Sequence, residues 1–336
     1  MTKTILCLGA DGYLGWNFAL YYAHKYNTNK VVCVDNYIKR FLLEKSNCAI
    51  FNNDARMLDK INFCNTSKKK YNMVSEYGDV ADKEFVSSLL IKYKPDIIIN
   101  CAGINSNQFM AGNHESMQWS MKNNQDIVLN ILWSVNELKL KPIIVQFTSL
   151  KQNPDSVNEL QHIFLSTICK SLSKKWRISV LECGIEHVYG LQTAWNQQPQ
   201  LYPRITYDQV FGELIHTLIA NMFRSTKIIV YGDEQQFIYP VHINDLTDMV
   251  DDTIKKQKMQ YQKVNIYAEK LKVGNIIMLL QSEIKRLNLD VVITKVKGDV
   301  VISGDISTAK HIVPVKPMKN LQTYFTELVT QFQGVA

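Results

Sequence analysis

The chain has 336 residues, 46% of them hydrophobic and 21% charged, the composition of a folded protein rather than a disordered one. That length suits about two domains, or one large α/β unit with an added lobe. Lys and Arg number 38 against 31 Asp and Glu, a net charge of +7, which suits a phosphate-bearing ligand but is too scattered for a nucleic-acid-binding protein.

Residues 4–8 form a short apolar strand that runs into glycines, and 13–26 have helical spacing. A strand of β-branched residues follows at 30–34, a helix at 82–92 and a strand at 97–101. Residues 125–138 read as a helix, Pro142 opens a strand at 143–147, 159–174 are helical and 178–182 are a strand. Alternation of this kind predicts βαβ units and a parallel sheet with helices on both faces. Beyond residue 190 the character changes. Residues 191–203 are polar and rich in Gln and Pro, as in a lid or binding loop. A helix is expected at 207–223, a strand at 227–231, a helix at 244–255, and short mixed elements from 264 on. The expected organisation is a first domain over 1–190, rejoined by 228–250, and a smaller C-terminal α/β substrate lobe from 191–227 and 251–336.

The seven cysteines are Cys7, Cys33, Cys48, Cys64, Cys101, Cys169 and Cys183. Their number is odd, no pair has CxxC spacing, and several lie in apolar runs. They read as free thiols in a reducing, cytoplasmic setting, with neither disulfides nor a metal site. The run Lys68–Lys70 reads as a solvated loop. No apolar run reaches the roughly 18 residues of a membrane span, and the chain enters its first strand at once, so neither a span nor a signal peptide is expected.

The strongest motif is Gly9-Ala10-Asp11-Gly12-Tyr13-Leu14-Gly15, between the first strand and the first helix. Glycines at this spacing make a tight turn, admit a pyrophosphate against the backbone and pack helix on strand, while the helix N-terminus aims amides at the anion. Asp35 ends the second strand about 20 residues later, where a carboxylate accepts both ribose hydroxyls and repels a 2′-phosphate, favouring NAD. Asn36 adjoins it, and Asp79 with Val80 would border the adenine. Cys101, Ala102 and Gly103 follow the fourth strand, where the cofactor would pass. The fold expected is α/β, a Rossmann-type doubly wound parallel sheet.

These residues, with Val34-Asp35-Asn36 and Gly78-Asp79-Val80, resemble the extended short-chain dehydrogenase/reductases, the NAD-dependent epimerases and dehydratases of nucleotide sugars. Val188-Tyr189-Gly190 and Tyr207-Asp208-Gln209-Val210-Phe211-Gly212 are similar to the sulfoquinovose synthase branch, and the order holds to about residue 330. The resemblance implies NAD on the first domain, a nucleotide sugar under the second lobe, and a homodimer paired through the helices at 125–138 and 159–174. It also implies a Tyr-x-x-x-Lys pair: Tyr deprotonates a sugar hydroxyl, and Lys holds the nicotinamide ribose and lowers the Tyr pKa.

Here the chain departs from its relatives. Thr148 and Ser149 fill the hydroxyl position, but counting back from Val188 puts Asn158 at the Tyr position and His162 at the Lys position, and no tyrosine lies between Tyr93 and Tyr189. The loop before Asn158 is short, and Ile238 stands where relatives carry an Arg for the diphosphate. Thr148, Ser149 and His162 are the catalytic candidates. Asn105, Asn124 and Arg204 are the substrate-binding candidates. Three readings stay open: an NAD-binding enzyme with altered chemistry, a catalytically silent partner subunit, and a non-redox lyase or cyclase on the same scaffold.

Overall fold

The computed structural model describes residues 2–45, 50–52, 55–67, 71–151, 156–208, 210–256, 260–296 and 320–335. Cys48, Lys68–Lys70, Gln209 and part of the expected C-terminal lobe lie outside them.

The first unit runs β1 (Thr4–Leu8), α1 (Tyr13–Lys25), β2 (Lys30–Asp35), α2 (Ile38–Lys45), α3 (Met57–Thr66), β3 (Met73–Tyr77), α4 (Lys83–Tyr93), β4 (Ile97–Asn100), α5 (Asn107–Gly112), α6 (His114–Glu137), β5 (Ile143–Ser149), α7 (Val157–Trp176) and β6 (Ser179–Ile185). The chain goes on through β7 (His187–Tyr189), α8 (Leu214–Arg224), β8 (Lys227–Tyr231), β9 (Phe237–Ile238), β10 (Pro240–His242), α9 (Ile243–Lys256), β11 (Tyr261–Asn265), β12 (Leu271–Lys272), α10 (Val273–Arg286), β13 (Val292–Val296) and α11 (Leu321–Gln333).

Seven strands form one sheet in the order β11-β6-β5-β4-β1-β2-β3. Every pairing in it is parallel. The inner strands β1, β2 and β4 are buried on both faces, so they read as unbroken apolar runs such as Ile97-Ile98-Ile99. One face packs on α1, α3 and α9 through Trp16, Phe18, Ile61, Leu246 and Val250. The other packs on α4, α6 and α7 through Leu89, Ile131 and Leu165. The strand order reverses between β1 and β4, which opens a crevice at the carboxyl ends of the strands.

A second core joins α8, α10 and α11 through Leu218, Ile219, Ile276, Leu280, Phe325 and Leu328. The boundaries differ from expectation here. β8 pairs with β13 in this second unit, so residues 228–232 do not rejoin the first. The return is made by α9, packed in the first core, and by β11, which extends the main sheet beside β6. The expected helix at 207–223 starts only at Leu214. Asp208 Oδ1 accepts from Val210 N and Phe211 N, fixing a turn, and Glu213 caps α8 by accepting from Ile215 N and His216 N. The 191–203 loop is packed rather than lid-like: Leu191 and Asn196 are fully buried, and Trp16 Nε1 donates to Leu201 O at 2.7 Å.

Candidate active site

The cleft lies at the crevice and is lined by the glycine turn, the end of β2, Gly78–Val80 and Cys101–Asn105. Gly9 has φ +74°, and a Cβ there would lie 2.7 Å from Ala102 N. A Cβ on Gly15 would lie 2.1 Å from Gly9 O, so the turn closes only with glycine at both places. Gly12 precedes α1 and no side chain caps that helix, leaving its first-turn amides for a ligand in the cleft.

Asp35 is held by two backbone donors, Asp11 N at 2.9 Å and Tyr37 N at 2.7 Å. Burial pushes its carboxyl above the ordinary range. Asn36, Tyr13 and Leu14 line the cleft beside it, and so do Asp79 and Val80 at its far end. Asp79 also accepts from Ala81 N in the turn leading to α4.

Asp11 is the centre of an ion cluster. Arg40 grips it with two donors, Nε at 2.7 Å and Nη2 at 2.8 Å, and Arg204 Nη1 lies 3.2 Å from Oδ2. Arg204 comes from the segment that also pairs with Phe51 and Asn52, so it crosses from one part of the chain to the other. Lys39 lines the cleft too, and burial beside Arg204 pushes its ammonium down to about 8. Sequence reasoning missed Lys39 and Arg40. α2 follows closely on β2, but nothing local in its sequence shows that Arg40 meets Asp11.

At the β4 end, Cys101, Ala102 and Gly103 line the cleft with Asn105. Burial pushes the Cys101 and Cys183 thiols up, so neither is a ready nucleophile. Asn124 sits beneath this loop. It accepts from Ile104 N and donates to Ile104 O, both at 2.9 Å. Its amide is thus spent on shaping the loop.

None of the three catalytic candidates lines the cleft. Thr148 is buried and donates to the buried carboxylate of Glu182 at 3.0 Å, on the helix-packed face of β5. His162 is 6% exposed, and burial pushes it down to about 4, so it is neutral at pH 7 and replaces no lysine cation. Ser149, one residue on, points the other way along the strand and donates to Glu159 Oε1 at 3.0 Å. Glu159, in the first turn of α7, was read only as the start of a helix.

No protein-family model matches the chain. It is similar to the chloroplastic UDP-sulfoquinovose synthase of Spinacia oleracea, 21% identical over 322 residues, covering 86% of this chain and 66% of that protein. A UDP-sulfoquinovose synthase of Sulfolobus acidocaldarius is 21% identical over 323 residues, covering 85% of this chain and 80% of that one. Among solved structures, the UDP-glucuronic acid 4-epimerase of Bacillus cereus, in complex with UDP-glucuronic acid and NAD, superposes with a TM-score of 0.71. It shares 18% identity and covers 99% of this chain and 100% of that one. The resemblance to extended short-chain dehydrogenase/reductases, first read from the glycine turn, therefore extends along most of the chain, and the Rossmann-type fold is theirs.

Proposed function

We propose that this protein binds NAD and a nucleotide sugar, as an epimerase/dehydratase-like enzyme with a rebuilt reaction half. The observation that carries the reading is the glycine turn: a helix N-terminus without a side-chain cap, closed against Ala102, with Asp35 beside it. Gly9, Gly12, Tyr13, Leu14 and Gly15 would take the pyrophosphate, Asp35 the adenosine ribose, and Cys101–Gly103 the nicotinamide side. When bound, NAD would supply a hydride acceptor and donor beside the sugar. Asn105 is the sugar-side ligand in this reading, whereas Arg204, held on Asp11 beside Asp35, stands at the adenosine end.

The nucleotide-sugar assignment rests on the sulfoquinovose synthases and on the UDP-sugar bound in the solved epimerase. A homodimer is part of the proposal. Val157, Leu160 and Phe164 expose one apolar face of α7, and Trp119 and Trp133 are exposed on the neighbouring α6. A cytoplasmic setting fits the free thiols.

Calorimetric titration with NAD and then with UDP-glucose tests the reading. Saturable binding of both, the second strengthened by the first, supports it. Absence of NAD binding refutes it. The silent-subunit reading is favoured by one observation, the neutral buried His162 at the lysine position. It predicts binding without any turnover.

A further inference from the structure

We propose that Lys39 and Arg204 form a cation clamp on the adenosine-side phosphate of the bound dinucleotide, one cation supplied by α2 and the other by the segment before α8. The inference rests on the reading of the cleft given above.

Position supports it first. Both side chains line the cleft together with the glycine turn and Asp35. Asp11 joins these parts of the wall. Its carboxylate holds Arg204, with Nη1 3.2 Å from Oδ2, and its amide donates to Asp35 at 2.9 Å. A dinucleotide with its ribose on Asp35 and its diphosphate over the glycine turn carries its adenosine-side phosphate between the two.

The local explanation of Lys39 fails. It is the second residue of α2, whose first turn holds Lys39 and Arg40 and no acidic residue. Cations there oppose the helix dipole, which favours carboxylates at that end. Arg40 is accounted for by its two bonds to Asp11. Among the described residues no carboxylate bonds the Lys39 ammonium, which faces the Phe211 ring with 5.7 Å between Nζ and the centroid.

The carboxylates that face Lys39 are engaged elsewhere. Asp11 is held by Arg40 and Arg204, and its Oδ1 also accepts from Met57 N at 3.1 Å. Asp35 accepts from Asp11 N and Tyr37 N. Asp208 Oδ1 accepts from Val210 N and Phe211 N. The strongest charged neighbour of Lys39 is Arg204, a like charge. Burial and that repulsion bring the ammonium down to about 8. A phosphate in the cleft relieves both cations at once, through charge-assisted hydrogen bonds.

A proton goes with it. At about pH 8 Lys39 is partly deprotonated in the free protein and protonated against a phosphate, so binding takes up a proton. Tyr13, Tyr37 and Cys101 also line the cleft, but burial pushes each of them up, away from this range. Affinity for the dinucleotide is therefore highest below about pH 8 and falls as pH rises through it.

The test is calorimetric titration of the full chain, with NAD and ADP as probes. Lys39→Met should weaken both by about 10-fold or more at about pH 7. Wild type, titrated in buffers of different ionisation enthalpy, should take up about 0.4 proton per NAD at about pH 8 and almost none at about pH 6.5, for an about tenfold gain in the proton affinity of the lysine. Its NAD affinity should fall about 5-fold between about pH 7 and about pH 9. Lys39→Arg stays charged throughout, so it should keep NAD affinity within about 3-fold at about pH 7, take up no proton at about pH 8, and lose little affinity at about pH 9. Wild-type NAD affinity in Lys39→Met, weakened NAD binding with ADP unchanged, or proton uptake that persists in Lys39→Arg would overturn the proposal. Wild type that binds NAD without taking up a proton at about pH 8 would overturn it too. Wild type that binds no NAD would instead remove the reading of the site on which it stands.

Discussion

Replacing His162 with leucine should abolish one component of the protein's sensitivity to acid. The imidazole is 6% exposed, and burial lowers it from 6.5 to about 4 in the folded chain. As pH falls below the unfolded value, the unfolded chain takes up a proton that the folded chain refuses. Stability is therefore lost from about pH 6.5 down to about pH 4 and levels off below. The full difference of roughly 2.5 units corresponds to about 3 kcal/mol, of which about 2 kcal/mol is spent by pH 5. Urea unfolding of wild type and His162→Leu at about pH 7.5 and about pH 5 isolates it, because the other titrating groups are shared. The gap between the two proteins should shift by about 2 kcal/mol in favour of the variant at the lower pH. Parallel pH dependence would refute a buried neutral imidazole, and would reopen His162 as a cation in the reaction half.

Gly15→Ala should lose NAD binding and much of the fold, since the added Cβ would meet Gly9 O at 2.1 Å; soluble protein with unchanged NAD affinity would contradict the geometry of the turn. Arg204→Met should lower stability by about 3 kcal/mol in urea unfolding, because it strips one cation from the buried Asp11 carboxylate. Phe164→Asp should turn a dimer into a monomer by light scattering without changing the circular dichroism spectrum; a wild-type monomer would remove the homodimer. His187 has the opposite sign to His162. Glu186 and the Nδ1 contact with Glu213 raise it, so its contribution is present below the ordinary histidine range and fades as pH rises through the folded value. A His187→Asn variant should therefore lose the most stability at mildly acidic pH.

The parts of the fold read from sequence were those where local chemistry and tertiary role coincide. The glycine turn has a single backbone solution, and β1, β2 and β4 are buried on both faces, so their residues announce them. The first half of α6 was missed because it is polar around most of its circumference. Its start is set instead by Asn113, whose Oδ1 accepts from Ser116 N at 2.7 Å. β11 escaped because Tyr261-Gln262-Lys263 alternates like a surface strand, yet it pairs with β6 some 80 residues earlier in the chain. At the site, Asp35 carries a spacing signature, whereas Arg40 and Lys39 sit on an ordinary helical surface. What makes them part of the site is what they meet outside their helix, Asp11 for Arg40 and the cleft itself for Lys39. Thr148 and Ser149 are adjacent and chemically alike. Strand alternation alone separates their partners, Glu182 of β6 for Thr148 and Glu159 of α7 for Ser149.

The central proposal is that this protein binds NAD at its glycine turn although no tyrosine lies between Tyr93 and Tyr189. Denaturing the purified protein and identifying what it releases by mass spectrometry tests it most directly. The account predicts NAD or NADH in stoichiometric amount, accompanied or not by a nucleotide sugar. A protein that releases neither, and whose melting temperature does not move when NAD is added, would contradict it.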